Sequence, residues 1–215
     1  MTVLVLLCVG FLDRHRLMMS LIDRKRDAKV TTDTDSVAEA ENDPKKVLFE
    51  AIRAYYPKGV PNLYRTLAVA PNVLAGFVHL DEKLMNGTLD EGERLIVGLL
   101  TALENDCNYC RAALSKEAVE AGAPQEAVEA ALTRARLDDD RMDALITATR
   151  RVLETRGRLP RAEIDWFGQR GFGHAALVEI IGTVSEFTMA TYANNLMRTR
   201  IDPEFRGYGA IGQKN

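Results

Sequence analysis

Two cysteines separated by two residues, Cys107 and Cys110, are the side chains of this sequence best suited to chemistry. Residues three apart on a helix share a face, so a Cys-x-x-Cys in a first helical turn brings two sulfurs within disulfide reach. The unpaired N–H groups and the dipole of a helix start favour a thiolate at the first cysteine. Arg111 adds to this effect, whereas Glu104 and Asp106 oppose it. A thiolate can attack a peroxide to give a sulfenic acid, which the second thiol converts to a disulfide.

Two other interpretations of the cysteine pair are a zinc site and a pair of unreactive structural cysteines. Zinc needs at least two further ligands, and the sequence holds no second cysteine pair. His79 and His174 stand alone, without the spacing of paired metal ligands. Buried unreactive cysteines are common in protein cores. The sequence favours redox chemistry over both, and predicts no metal site and no cofactor.

The composition is that of an ordinary globular protein. Of the 215 residues, 47% are hydrophobic and 27% are charged, with a formal net charge of −3 and a pI near 5.7. A weakly acidic chain does not favour nucleic-acid binding, and no apolar run approaches the roughly 18 residues that would cross a membrane. Three sparse cysteines do not describe a secreted disulfide scaffold, and they favour the cytoplasm.

The start of the chain is expected to be a flexible leader. Residues 3–12 are apolar, but no Lys or Arg precedes them and charged residues follow, which does not match a secretory signal. The charged segment that follows has almost no aromatic residues, a composition typical of flexible chain. One hypothesis is that translation begins at Met18 or Met19. The predicted organisation is a leader over 1–42, a folded helical domain over 43–200 and a glycine-rich tail over 201–215.

From Asp43 onward the hydrophobic spacing and the turn residues predict helices throughout and no strand, so the predicted fold class is all-α. Thr88 and Glu91 have the spacing of a capping box, with Thr88 at the N-cap, and predict an apolar helix to about Glu104. Asn105 then breaks the chain just before the cysteines. The other expected helices span about residues 44–56, 61–67, 71–85, 107–121, 124–134, 139–155 and 174–197.

The residues around the cysteines resemble the core of the carboxymuconolactone decarboxylase superfamily, and most closely its AhpD-like alkylhydroperoxidase branch. The resemblance covers about residues 45–200 and centres on the Cys-Asn-Tyr-Cys motif. It is carried by residues 93–100 and 106–113 in the core, by 61–67 and Pro71 at the opening helices, and by 177–180 and 192–195 at the closing helix.

This resemblance implies an AhpD-like helical bundle that assembles as a homo-oligomer, either a trimer or a hexamer. It implies a peroxidase cycle in which Cys110 becomes the sulfenate and Cys107 serves as proton donor and resolving thiol. The implied substrate is a small hydroperoxide or disulfide. The implied reductant is a dithiol, such as a lipoyl group or a thioredoxin-like protein.

The sequence departs from the family pattern at the two positions that would relay protons to the thiols. The relay histidine is replaced by Leu114 and the relay glutamate by Leu95. Leucine cannot carry a proton, and a positioned acid–base group is worth about 100- to 10,000-fold in rate. Glu91 lies one turn before Leu95 on the same helical face and is the candidate replacement. The other interpretation of Glu91 is a solvated acid favoured by the helix dipole.

Two alternative functions stay open at this stage. Glu186, Tyr192 and Asn194 fall on one predicted helix, where they could line the polar pocket that a lyase acting on a small organic acid requires. The simpler interpretation of these three residues is buried polar groups with ordinary hydrogen-bond partners. The second alternative is a non-catalytic oligomer that senses redox state or binds a partner.

Overall fold

The computed structural model describes residues 48–50, 52–53, 56 and 59–209, so the predicted leader and the hypothetical later start lie outside the described residues. The chain divides into two compact units, with the boundary between Ala75 and Gly76. In the first unit the rings of Tyr56 and Tyr64 lie 5.5 Å apart, and their hydroxyls are 3.3 Å from each other.

The all-α prediction is confirmed, because the regular structure of the described residues is entirely helical. None of these helices is both long enough and apolar enough to cross a membrane. The elements with defined bounds are α1 (Asn62–Leu67), α2 (Pro71–Leu84), α3 (Glu91–Glu104), α4 (Asn108–Glu120), α5 (Gln125–Thr133), α6 (Asp140–Thr155), α7 (Arg161–Gly168), α8 (His174–Met197) and a 3-10 turn (Pro203–Phe205).

Helix α3 is the central element of the second unit. It packs against α4, α5, α6 and α8, and most of its residues are buried. Gly98 lies where α3 approaches α8, since a Cβ added there would come within 2.6 Å of the Phe187 ring. The apolar character predicted for this segment therefore reflects burial on several sides.

The cap of α3 differs from the predicted one. Asp90 is the N-cap and forms the capping box with Glu93, instead of Thr88 with Glu91. The reason is a contact made by the distant Glu179. Its carboxylate accepts hydrogen bonds from the Thr88 backbone N–H at 2.6 Å and from the Thr88 hydroxyl at 3.0 Å. Thr88 is thereby engaged in a tertiary contact, and the helix begins two residues later.

A tight turn joins α3 to α4 and places the first cysteine. The Cys107 N–H donates to the Ala102 carbonyl at 2.9 Å, and Asp106 adopts a left-handed conformation with φ +49°, as in a Schellman ending. Helix α8 secures this turn. The Asn105 amide donates to the Thr191 hydroxyl at 2.9 Å, and the Asn195 amide donates to the Asn105 carbonyl at 2.8 Å.

The described part of the predicted glycine-rich tail packs on α4. The Tyr109 hydroxyl donates to the Asp202 carboxylate at 2.7 Å, and the Tyr109 ring meets the buried Phe205 ring edge-on. Gly209 follows so closely that a Cβ there would lie 2.9 Å from the Arg111 carbonyl oxygen. Residues 202–209 thus pack against the first turn of α4, next to the cysteines in sequence.

Candidate thiol site

Both cysteines lie where the sequence predicts, at the start of α4. Cys107 is the N-cap and Cys110 is the third helical residue. Both are free thiols and each is only 2% exposed. The pair therefore occupies a nearly water-excluded position, with its sulfurs close enough to interact directly.

The two thiols differ sharply in acidity. The pKa of Cys107 is lowered to about 7, mainly because the Cys110 thiol donates a hydrogen bond to its sulfur. The backbone N–H groups of Cys110 and Tyr109 lower it further, while burial opposes the shift. The pKa of Cys110 is raised well above its ordinary value by the same hydrogen bond and then by burial. One proton therefore leaves the pair near neutral pH, and the other stays between the two sulfurs.

Asn194, on α8, is the polar side chain that reaches the Cys110 sulfur. Its Nδ2 donates to Cys110 Sγ at 3.2 Å, and its side chain is buried. This contact favours a negative charge on the Cys110 sulfur and opposes the rise in its pKa. The Asn194 Oδ1 is buried without a hydrogen-bond partner among the described residues. The sequence analysis favoured an ordinary buried polar group at Asn194, and the structure adds that this group contacts the cysteine pair.

The two relay positions differ in burial from Glu91, the candidate replacement. Leu95 and Leu114 are both buried, as expected for apolar residues on inner helix faces. Glu91 is half-buried at the first position of α3, and burial raises its pKa. The charges that act on Glu91 are those of Arg94, Asp81 and Asp90, and no cysteine is among them.

A second buried polar group lies between α2, α3 and α8. The Arg94 guanidinium donates to Asp81 at 2.7 Å and to Glu186 at 3.0 Å. Burial raises the pKa of Glu186 well above its ordinary value, and the Asp81 charge adds to this rise. Glu186 is 1% exposed and Asp81 is partly exposed, so the group connects the interior with solvent through Asp81. Both terminal nitrogens of Arg94 are already occupied by carboxylates.

Glu117 is a titratable residue on the cysteine-bearing helix that the sequence analysis missed. Burial raises its pKa to about 8, and its charge in turn raises the pKa of Cys110. Its position offers one signal, since it falls seven residues after Cys110, two turns along the same helix. No pattern in the sequence distinguishes it from Glu120, the other acidic residue of α4.

Several other residues singled out from the sequence lie at the surface. His79 is exposed and pairs with Glu82 at 3.6 Å, and His174 is exposed at the start of α8. Tyr192 is 61% exposed and does not line the thiol site. Within residues 48–50, 52–53, 56 and 59–209, no group of three His, Cys, Asp or Glu side chains could hold a metal ion. A surface hollow of about 430 Å³ lies along α5. None of the candidate site residues from the sequence analysis lines it.

The thiol site lies within the part of the chain that matches a family model. Residues 71–161, which include α2 to α6, match the model of the carboxymuconolactone decarboxylase family. No curated protein matches the sequence.

Solved structures share the fold at low sequence identity. A peroxidase-related protein from Ralstonia eutropha JMP134, described as an alkylhydroperoxidase AhpD core, has a TM-score of 0.67 at 21% identity, over 78% of this chain and 92% of its own. A peroxidase-related protein from Silicibacter sp. TM1040 has a TM-score of 0.64 at 17% identity, over 85% and 94%. The debrominase Bmp8 has a TM-score of 0.64 at 14% identity, over 86% and 98%. The expected AhpD-like helical fold is therefore confirmed.

Proposed function

We propose that this chain, whose residues 71–161 match the carboxymuconolactone decarboxylase family model, is a thiol-dependent oxidoreductase that reduces small hydroperoxides through Cys107 and Cys110. The observation that carries the proposal is the thiol pair itself. Its first proton is lost near pH 7, and its second sulfur receives the Asn194 N–H. Such a pair supplies a thiolate and a resolving thiol in one helical turn.

The reaction follows from the hydrogen bonds of the pair. The Cys110 proton moves to the Cys107 thiolate, which leaves the negative charge on the sulfur that faces the Asn194 amide. The Cys110 thiolate attacks the terminal oxygen of the hydroperoxide, the O–O bond breaks, and Cys110 becomes a sulfenic acid. The alkoxide that leaves takes a proton from solvent and departs as an alcohol. The Cys107 sulfur then attacks Cys110, and the Cys107 proton leaves with the hydroxyl as water. The products are an alcohol, water and the Cys107–Cys110 disulfide.

The apolar residues at the two relay positions set the expected rate. Leu95 and Leu114 are buried and can carry no proton to or from a thiol. We therefore expect a slow peroxidase. Glu91 is a weak candidate for the relay, because the charges that act on it are those of Arg94, Asp81 and Asp90. A dithiol reductant of the lipoyl or thioredoxin-like type, a homo-oligomeric assembly and a cytoplasmic location complete the proposal.

The lyase alternative has weaker support from the geometry. A lyase acting on an organic acid needs a free cation to bind the substrate carboxylate. Arg94 is the buried cation of this region, and Asp81 and Glu186 already occupy its terminal nitrogens. A substrate carboxylate would have to displace one of these partners.

A mass measurement tests the proposed function. The reduced protein is treated with one equivalent of an organic hydroperoxide, and its intact mass and peptide map are recorded. We expect a loss of two hydrogens that maps to a Cys107–Cys110 disulfide. The Cys107→Ser variant should instead gain one oxygen at Cys110. Thiols that stay reduced while the protein remains folded would refute the proposal.

A further inference from the structure

The side-chain oxygen of Asn194 has no role in the reaction described so far. Asn194 is 2% exposed, and its Oδ1 is buried without a hydrogen-bond donor among the described residues. A buried oxygen that accepts no hydrogen bond costs free energy, so such an atom calls for a partner. The other end of the same amide, Nδ2, contacts the Cys110 sulfur at 3.2 Å. The unsatisfied acceptor therefore lies at the reactive pair itself.

The hydrogen bonds of the thiol pair fix which end of the amide faces the sulfur. Cys110 has one S–H group, and it donates that hydrogen to the Cys107 sulfur. The Cys110 sulfur can then only accept from Asn194, and an amide donates through its nitrogen and accepts through its oxygen. The nitrogen of Asn194 therefore faces Cys110, and the oxygen is left to accept a hydrogen bond from another molecule.

Two hydrogen bonds hold this stretch of α8 against the turn that leads to the cysteines. Thr191 and Asn195 flank Asn194, and both bond to Asn105, at 2.9 Å and 2.8 Å respectively. Asn105 stands two residues before Cys107. The amide is thus fixed relative to the thiols before a substrate arrives, and polar groups assist catalysis most when they are fixed in advance.

The length of an amide group brings a ligand oxygen within reach of both Oδ1 and the sulfur. The nitrogen and oxygen of an amide are about 2.3 Å apart, so Oδ1 lies at most about 5.5 Å from the Cys110 sulfur, given the 3.2 Å contact of Nδ2. An oxygen atom that hydrogen-bonds to Oδ1 at about 2.8 Å can therefore also stand about 3.3 Å from the sulfur. That second distance is the separation from which a nucleophile attacks.

We propose that Asn194 is the substrate-binding residue of the thiol site, and that its Oδ1 accepts a hydrogen bond from the O–H group of a hydroperoxide. This inference rests on the proposed function and deepens it, because it selects hydroperoxides over disulfides. A hydroperoxide carries its hydrogen on the terminal oxygen, which is the atom that the sulfur attacks. One amide then holds both reacting atoms, the sulfur through Nδ2 and the terminal oxygen through Oδ1. Electrophiles without an O–H group gain nothing from this acceptor.

The hydrogen bond to Oδ1 lasts through the reaction. The Cys110 thiolate bonds to the terminal oxygen, and the electron pair of the O–O bond leaves on the inner oxygen, which takes a proton from solvent. The terminal oxygen keeps its hydrogen and becomes the hydroxyl of the sulfenic acid. The sulfur is oxidised by two electrons, and the peroxide is reduced by two. Oδ1 thus orients the terminal oxygen at the sulfur from binding to product.

The burial of the site determines which probes are suitable. Cys107, Cys110 and Asn194 are each 2% exposed, so a small molecule must deliver the O–H group. Hydrogen peroxide is the smallest molecule that carries the required group. Methyl methanethiosulfonate is the matched probe, because it is also small, reacts with thiolates and has no O–H group.

The test compares the two probes at a single sulfur. In a background of Cys8→Ser and Cys107→Ser, Cys110 is the one cysteine left, so the thiolate fraction affects both rates alike and cancels in their ratio. We expect Asn194→Leu to lower the ratio of the hydrogen peroxide rate to the methyl methanethiosulfonate rate by roughly 3- to 10-fold, the effect of one neutral hydrogen bond. Both rates should also fall together, because the Nδ2 donor is lost. Asn195→Leu, which removes the neighbouring amide, is the matched control and should keep the parent ratio.

Two further variants keep the inference testable if Asn194→Leu does not fold. Asn194→Ala also lacks the acceptor and should lower the ratio in the same direction. Asn194→Asp keeps the shape of the side chain and an acceptor oxygen, so its ratio should be at least that of the parent, although its charge slows both reactions. A ratio that falls as far in Asn194→Asp as in Asn194→Ala would overturn the assignment.

The outcomes separate this inference from the proposed function. Equal slowing of both probes in Asn194→Leu would show that Oδ1 takes no part in substrate binding, and would leave the thiol peroxidase intact. A protein with its native cysteines that reacts with methyl methanethiosulfonate but with no hydroperoxide would refute the proposed function, and this inference with it. A lower ratio in Asn194→Leu with an unchanged ratio in Asn195→Leu supports both.

Discussion

The hydrogen bond from Asn194 to Cys110 gives the sharpest test of how this site stabilises charge. Replacement of Asn194 by leucine keeps the branched shape of the side chain and removes its N–H donor. A hydrogen bond to an ionised group is worth about 1.5–3 kcal/mol. If the 3.2 Å contact stabilises the Cys110 anion, its loss should slow peroxide reduction by roughly 10- to 150-fold.

The stability of the same variant should change little. Asn194→Leu also removes the buried Oδ1 that has no partner among the described residues. An unsatisfied buried polar atom costs about 1–3 kcal/mol, which offsets the net contribution of about 1 kcal/mol from the lost hydrogen bond. We expect the free energy of unfolding to stay within about 1 kcal/mol of wild type. Asn194→Leu should therefore slow peroxide reduction while leaving the free energy of unfolding nearly unchanged.

Stopped-flow oxidation by an organic hydroperoxide measures the rate, and urea unfolding measures the stability. The ultraviolet absorbance of the thiolate should still titrate near pH 7, because the Cys107 anion is stabilised mainly by the Cys110 thiol. Asn86→Ala is the control, since the exposed Asn86 amide donates to the Glu82 carbonyl on α2. A wild-type rate in Asn194→Leu would refute the role of the amide. A loss of more than about 3 kcal/mol of stability would show that the amide is structural instead.

Three further predictions concern the cysteines, the core and the assembly. Dimedone should label Cys110 in the Cys107→Ser variant, whereas the Cys110→Ser variant should not consume peroxide; label on Cys107 in the latter would reverse the roles. Gly98→Ala should lower the free energy of unfolding in urea by about 1–3 kcal/mol, because its new methyl group meets the Phe187 ring. Gly76→Ala, which has open space around it, is the control and should raise the free energy of unfolding by up to about 1 kcal/mol. Equal effects of the two substitutions would contradict the packing argument. Light scattering should return a mass well above the 23.9 kDa of one chain, and a monomer at micromolar concentrations would exclude the oligomer.

The local elements of this protein can be predicted from its sequence because their causes are local. Helix spacing, prolines at helix starts and the Asn105–Asp106 break all act within a few residues. The same local rule places Cys107 and Cys110 on one face of a helix start. Their geometry as a reactive pair therefore follows from four consecutive residues.

The cap of α3 shows where local rules stop. Thr88 and Asp90 are both good N-cap residues, and the sequence spacing favours Thr88. The choice is made by Glu179, which lies 91 residues away and occupies the Thr88 N–H and hydroxyl. A contact over that separation leaves no periodic trace in the sequence.

The chemistry of the site likewise depends on distant residues. Asn194 reaches Cys110 across 84 residues of chain, and Glu186 meets Arg94 across 92. The raised pKa of Glu117 comes first from burial, a property of the packed helices and not of any residue type. The sequence by itself determines which groups can react and on which helix they lie. The packing of α2, α4 and α8 decides which of these groups meet in space and which carry a proton near neutral pH. The reason is that desolvation and charge interactions depend on distance in space rather than on distance along the chain.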